Sequence, residues 1–167
     1  EEIRADIWKD EPPLLTQPTG FDRSLSLVIG INHYANGIPS LTTAVNDARR
    51  LADLLHTQHG YHVHLLTDEV THTQLEELFV EILPQKVKEA DRLLIYFAGH
   101  GIVLDSDTEP IAYLIPQDAN ASDPQSFWPM IELQRQLAGG RRLLHEGAQL
   151  AIRQRRRVVD EQHGPAV

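Results

Sequence analysis

The sequence predicts an α/β fold: a mostly parallel central sheet with helices on both faces. Three observations predict it. Two segments, 25–31 and 93–98, are too densely apolar for strands that keep one wet face. The segments around them read in the order β-α-β-α-β. The connections between the strands are of helical length, as parallel pairing requires.

The elements follow in order. Residues 1–22 read as an extended lead-in, because Pro12, Pro13, Pro18 and Gly20 interrupt regular structure. A first strand runs from Ser24 to Ile31, and Asn32 to Ser40 is a loop with an Asn36-Gly37 turn signal. Leu41, Ala44, Val45, Ala48, Leu51, Ala52 and Leu55 recur at helical spacing, so a helix spans about 43–59 and ends at Gly60. Tyr61, Val63 and Leu65 alternate with His62 and His64 as a second strand. Thr71 and Gln74 make a capping-box pattern ahead of Leu75, Leu78, Phe79 and Ile82, a helix expected to break near Pro84.

The third strand, Leu93 to Ala98, leads directly into Gly99-His100-Gly101. A histidine at the carboxyl end of a central strand stands where open α/β sheets place ligands. Histidine is also the commonest proton-transfer group near neutral pH. Flanking glycines let the chain turn and let other backbone approach the ring. Residues 102–104 and 111–115 then read as a hairpin around Asp105, Asp107 and Glu109, whose spacing is only a fragment of a calcium loop. A short helix follows at about 131–138, stopped by Gly139-Gly140. Residues 141–160 are expected to be helical or poorly ordered rather than a core strand, since Arg155-Arg156-Arg157 argues against burial.

Composition narrows the function. The chain has 167 residues, 41% of them hydrophobic and 23% charged, which suits one domain with a core, plus a tail. Residues 1–140 carry 9 Lys/Arg against 21 Asp/Glu, whereas residues 141–167 carry 6 Arg against 3 acids. The acidic body disfavours nucleic acid and favours cationic partners. No apolar stretch suits a membrane span and no signal-peptide pattern opens the chain, so a cytoplasmic placement is expected. Glu1 stands where Met would, which suggests a piece of a longer product. No Gly-x-Gly-x-x-Gly follows the first strand and no Walker-type phosphate loop occurs. The clustered His56, His59, His62 and His64 straddle a helix end and a strand, and are read as surface histidines rather than metal ligands.

Four segments in this order resemble the caspase-like cysteine peptidases, especially bacterial caspase homologues and metacaspases. They are Leu27-Val28-Ile29-Gly30-Ile31-Asn32-His33-Tyr34, Leu41 through Val45-Asn46-Asp47-Ala48, Leu93 to Gly101, and Ile111 to Asp118. The likeness covers about 24–138. It implies a three-layer caspase-like domain at 23–138, with 1–22 as lead-in and 139–167 as an Arg-rich tail. It also implies cysteine endopeptidase chemistry, in which a thiolate attacks the scissile carbonyl and an imidazole moves the proton. His100 matches the imidazole, and Gly101 matches the backbone donor to the oxyanion. Asp47 matches an acid that selects a basic residue before the scissile bond, although a first-turn acid also complements a helix dipole. Asp118 could assist that pocket or hold calcium, and is otherwise a turn former. No cofactor is implied beyond that calcium.

The chain departs from the family in one respect. Family members continue into an apolar strand that ends in the cysteine, whereas this chain contains no Cys. No Ser follows Ser126 and no Thr follows Thr108 to replace it. The C-terminal part of the fold is therefore expected to be missing or replaced, and the chain to be inactive. The expected partner is a peptide or protein with a basic residue. Self-association is expected through an edge of the third strand or its neighbour left unpaired, with apolar surface uncovered. The alternative is a non-catalytic peptide-binding or scaffold module of a larger signalling protein.

Overall fold

The computed structural model of this chain describes residue 8 and residues 20–106, 109–139 and 148–154. Its centre is a parallel sheet of β1 (Ser24–Gly30), β2 (His62–Thr67), β3 (Arg92–Gly99) and β7 (Ala148–Gln154), in the order β2-β1-β3-β7. Register runs Leu25↔Leu93 through Gly30↔Ala98 between β1 and β3. β4 (Gly101–Leu104), β5 (Ile111–Leu114) and β6 (Trp128–Pro129) form a small antiparallel sheet beside it. The expected hairpin is β4–β5, and the Ser106 hydroxyl donates to the Glu109 carbonyl at its turn (2.6 Å).

β1 is buried along its whole length because both of its faces are covered. Leu25, Leu27 and Ile29, with Leu93, Ile95 and Phe97 of β3, face one core. That core is closed by α2 (His72–Glu76), a π-helical turn (Glu77–Ile82), α3 (Leu83–Lys86), and Leu133 of α4 (Met130–Gly139). Val28 faces the other side, against Ala48, Ala52 and Leu55 of α1 (Ala44–His59). This two-sided burial is what the unbroken apolar runs encode. The result is a mixed α/β architecture in three layers.

Gly30 sets how closely α1 lies on the sheet. A Cβ there would stand 2.6 Å from Ala48 Cβ and 2.8 Å from the Ala44 carbonyl. Only glycine lets the first turns of α1 reach the carboxyl end of β1. At its other end α1 closes on Gly60 (φ 64), whose N–H donates to the Leu55 carbonyl.

Two expectations are corrected. The second helix does not break at Pro84, because α3 carries it on to Lys86. Proline lacks an N–H and its ring crowds the preceding turn, and the chain accommodates both by widening to a π-helix over Glu77–Ile82. The Thr71–Gln74 capping box forms as expected.

The second correction concerns the tail. Within the stretch expected to be helical or poorly ordered, Ala148–Gln154 is a parallel strand on β3, in register from Leu93↔Ala148 to Gly99↔Gln154. An unpaired β3 edge would leave buried N–H and carbonyl groups without partners, so any adjacent segment with strand periodicity is favoured there. Ala148, Leu150 and Ile152 supply that period-2 pattern, and the triple arginine follows it in sequence instead of interrupting it. Residues 141–147 and 155–160 lie outside the described residues.

The place of the open edge follows from the second. β3 is paired on both sides, by β1 and β7, so the open edge expected on β3 or its neighbour lies on that neighbour, β7, last in the described sheet. The lead-in lies outside the described residues except at Trp8 and residues 20–22. Trp8 is buried in the main core and donates from its indole N–H to the Ser26 carbonyl (3.0 Å).

Candidate functional site

The site forms at the carboxyl ends of β1, β2 and β3. His100 follows β3 at this rim, half-buried. Its backbone is held on two sides. Its N–H donates to the Tyr34 hydroxyl (2.8 Å), and its carbonyl accepts from Ile115 N–H (3.1 Å). The Tyr34 and His100 rings lie against each other, with centroids 4.8 Å apart and planes tilted by 56°.

The imidazole Nε2 stands 2.7 Å from the Pro39 carbonyl oxygen. A carbonyl only accepts, so in the neutral ring Nε2 carries the proton and Nδ1 keeps a lone pair. A ring fixed in that tautomer can take a proton from an acid presented at Nδ1. Both Tyr34 and Pro39 belong to the loop between β1 and α1. Burial pushes the Tyr34 hydroxyl well above the usual phenol range, against the smaller opposing effect of the His100 N–H, and the nearby Asp68 charge adds to the rise. Tyr34 therefore stays a neutral hydroxyl.

Gly99 is required for this arrangement. A Cβ there would stand 2.6 Å from the Tyr34 hydroxyl and 2.8 Å from the Phe97 ring. Gly101 opens β4 opposite Leu114, directly after the histidine.

Asp47 lies in the first turn of α1. It lines a recess with Leu41, Thr42, Thr43, Ala44, Ala98 and Gly99, so it shares a wall with the residue before His100. The recess holds about 30 Å³, room for a water or two. Asp118 is not among the residues lining it. Its carboxylate instead accepts from the His72 N–H at the start of α2 (2.8 Å), and its carbonyl accepts from the Asn36 side-chain amide (3.0 Å). Asp118 thus ties three rim segments together, across 46 residues to His72 and 82 to Asn36.

Sequence reasoning missed Asp68, Asn32 and Pro39. The Asp68 carboxylate accepts from the N–H groups of Asn32 (2.8 Å) and His33 (3.0 Å), and its second oxygen pairs with His33 Nδ1 (3.1 Å). Burial alone would raise its carboxyl, but those two N–H bonds and the imidazole outweigh it and hold the group below the usual carboxylate range. Asn32 Oδ1 accepts from Val45 N–H (3.2 Å), so it caps α1 in place of Thr43, whose side chain makes no cap bond. The one local signal was an Asp-Glu pair between strand and helix. Its left-handed backbone, φ 49 at Asp68 and φ 48 at Glu69, cannot be read from residue type.

Beside His100, the partner strand β7 brings Arg153 level with Ala98 and Gln154 level with Gly99. The whole chain holds no cysteine to present there. Among the described residues no three His, Asp or Glu side chains are grouped to hold a metal ion, and no helix is long and apolar enough to cross a membrane.

Comparison with known proteins agrees with this geometry. No curated protein matches the chain. Among solved structures, a crystal structure of a Geobacter sulfurreducens protein shares the fold. Its TM-score is 0.57 at 15% identity, over 78% of this chain and 48% of that one. The present chain therefore spans about half the length of that neighbour. The caspase domain matches residues 23–141, well over half of the sequence. That match takes in β1 through α4 with His100 at their common rim, and the chain belongs to the caspase-domain family.

Proposed function

We propose that this chain is a caspase-type cysteine endopeptidase domain by descent that engages a peptide at the β1–β3 rim and does not hydrolyse it. The observation that carries the reading is the pairing of β7 with β3. At the level of Gly99 the neighbouring strand end is Gln154, and no thiol exists anywhere in the sequence. His100, with Nε2 turned to Pro39, keeps the proton-transfer half of the chemistry without a nucleophile to serve.

In this reading Gly101 is the vestigial oxyanion donor. Asp47 gives the recess a preference for Arg or Lys, and Asp118 orders the rim. The recess is small, so it would take only the charged end of a basic side chain. Asp47 is only half-buried, so its ion pair with a peptide cation is worth about 0.5–1 kcal/mol.

Fluorogenic peptides with Arg, Lys or Asp before the scissile bond test the chemistry. No cleavage is expected, with or without millimolar calcium. Turnover that disappears in His100→Ala would overturn the inactive reading. Calorimetric titration with an Arg-terminated peptide aldehyde tests the recess. Affinity is expected to fall about two- to five-fold in Asp47→Ala, and equal affinities would remove Asp47 from the pocket.

A further inference from the structure

The contact on the His100 ring and the one on its N–H come from one loop, and the root of that loop is bound by one carboxylate. Resting on the reading of His100 as the proton-transfer group of the site, we propose that Asp68 is a positioning residue. By binding the Asn32 and His33 N–H groups, its carboxylate sets the β1–α1 loop and thereby holds His100 in a single tautomer.

The connections are continuous. Asp68 follows β2 and is itself fixed, because its N–H donates to the Gly30 carbonyl (2.9 Å). Its carboxylate then reaches across 35 and 36 residues to the two N–H groups that follow β1. An aspartate that only closed a turn would bind its own neighbours. Asn32, whose N–H Asp68 binds, in turn holds both ends of the loop. Its carbonyl accepts from Leu41 N–H (2.7 Å) and its side chain from Val45 N–H. Between Asn32 and Leu41 lie Tyr34 and Pro39, the groups on His100.

Further support comes from the backbone at Asp68. Two successive non-glycine residues, Asp68 and Glu69, occupy the left-handed region. Strain of this kind persists where surrounding contacts over-determine it, and it clusters at functional sites. The His33 imidazole adds little to the anchor, because its side chain is 72% exposed. The two backbone N–H groups carry the effect.

The test is long-range proton–nitrogen NMR of the neutral His100 ring in the uncomplexed full chain, with no peptide present. Asp68→Gly is the informative variant, because glycine accepts the left-handed backbone and lacks the carboxylate. Asp68→Asn keeps one oxygen for the two N–H groups and also tolerates that backbone. Asp91→Asn, at the opposite end of β3, controls for general loss of stability.

Wild type, Asp68→Asn and Asp91→Asn are expected to show the single Nε2–H signature. Asp68→Gly is expected to lose it to a mixture of both tautomers. Retention of the single signature in Asp68→Gly would overturn the proposal. So would equal loss in Asp68→Asn, or loss in Asp91→Asn. The readout does not depend on peptide binding. A wild type that binds no peptide would defeat the proposed function and leave this inference standing.

Discussion

Replacing Gly99 with alanine adds one methyl at the most crowded point beside the candidate site. The new Cβ would stand 2.6 Å from the Tyr34 hydroxyl and 2.8–2.9 Å from two carbons of the Phe97 ring. Phe97 is 1% exposed and packed in the main core, so it cannot yield easily. The Tyr34 hydroxyl is the end of a side chain and is the group that moves. Moving it breaks its bond to the His100 N–H, worth about 1 kcal/mol. Overpacking against Phe97 adds about 1–3 kcal/mol. The expected loss is therefore about 2–4 kcal/mol, a fall of roughly 1–2 M in the urea midpoint at an ordinary slope.

A double-mutant cycle isolates the cause. Tyr34→Phe alone removes the hydroxyl and costs about 1 kcal/mol. In the double variant the methyl no longer meets a hydroxyl, so the combined loss should fall short of the sum by about 1 kcal/mol. Urea unfolding of the four proteins, followed by tryptophan fluorescence, reads this directly. Losses that add to within about 0.3–0.5 kcal/mol would show that methyl and hydroxyl do not meet, and would refute the packing account of Gly99.

Two further outcomes are expected. The Asp68 carboxyl is held below its usual value, so its contribution to stability is complete above its unfolded value of about 3.9 and is lost as pH falls through the lower folded value. The stability gap between wild type and Asp68→Asn should be flat above about pH 4 and narrow below it, and a gap constant down to pH 2 in a denaturant series would refute this. In β7, neighbouring N–H groups point to opposite sides of the strand, so of Leu150→Pro and Ala151→Pro one removes a bond to β3 and the other an outward N–H. One variant should melt well below the other, and two melting curves matching wild type would refute the β3–β7 pairing.

Sequence pattern alone determined the layers and the place of the histidine. β1 and β3 are read correctly because burial on both faces leaves no polar alternation, and α1 because its apolar residues repeat at helical spacing against Val28. Gly99-His100-Gly101 could be placed at the rim because it follows the most apolar strand without a break. Only the tertiary structure decided how that histidine is held. Its partners lie 61 and 66 residues away in sequence, and Asp68 meets the loop across 35, distances at which no local periodicity carries information. The same reason hid β7. A short alternating segment beside an arginine cluster has weak strand propensity of its own, and it becomes a strand because β3 offers an open edge that must be paired. Pro84 reads locally as a stop, yet the helix continues through it. The surrounding core of Leu78, Phe79, Ile82 and Leu83 makes a widened turn cheaper than an exposed apolar face.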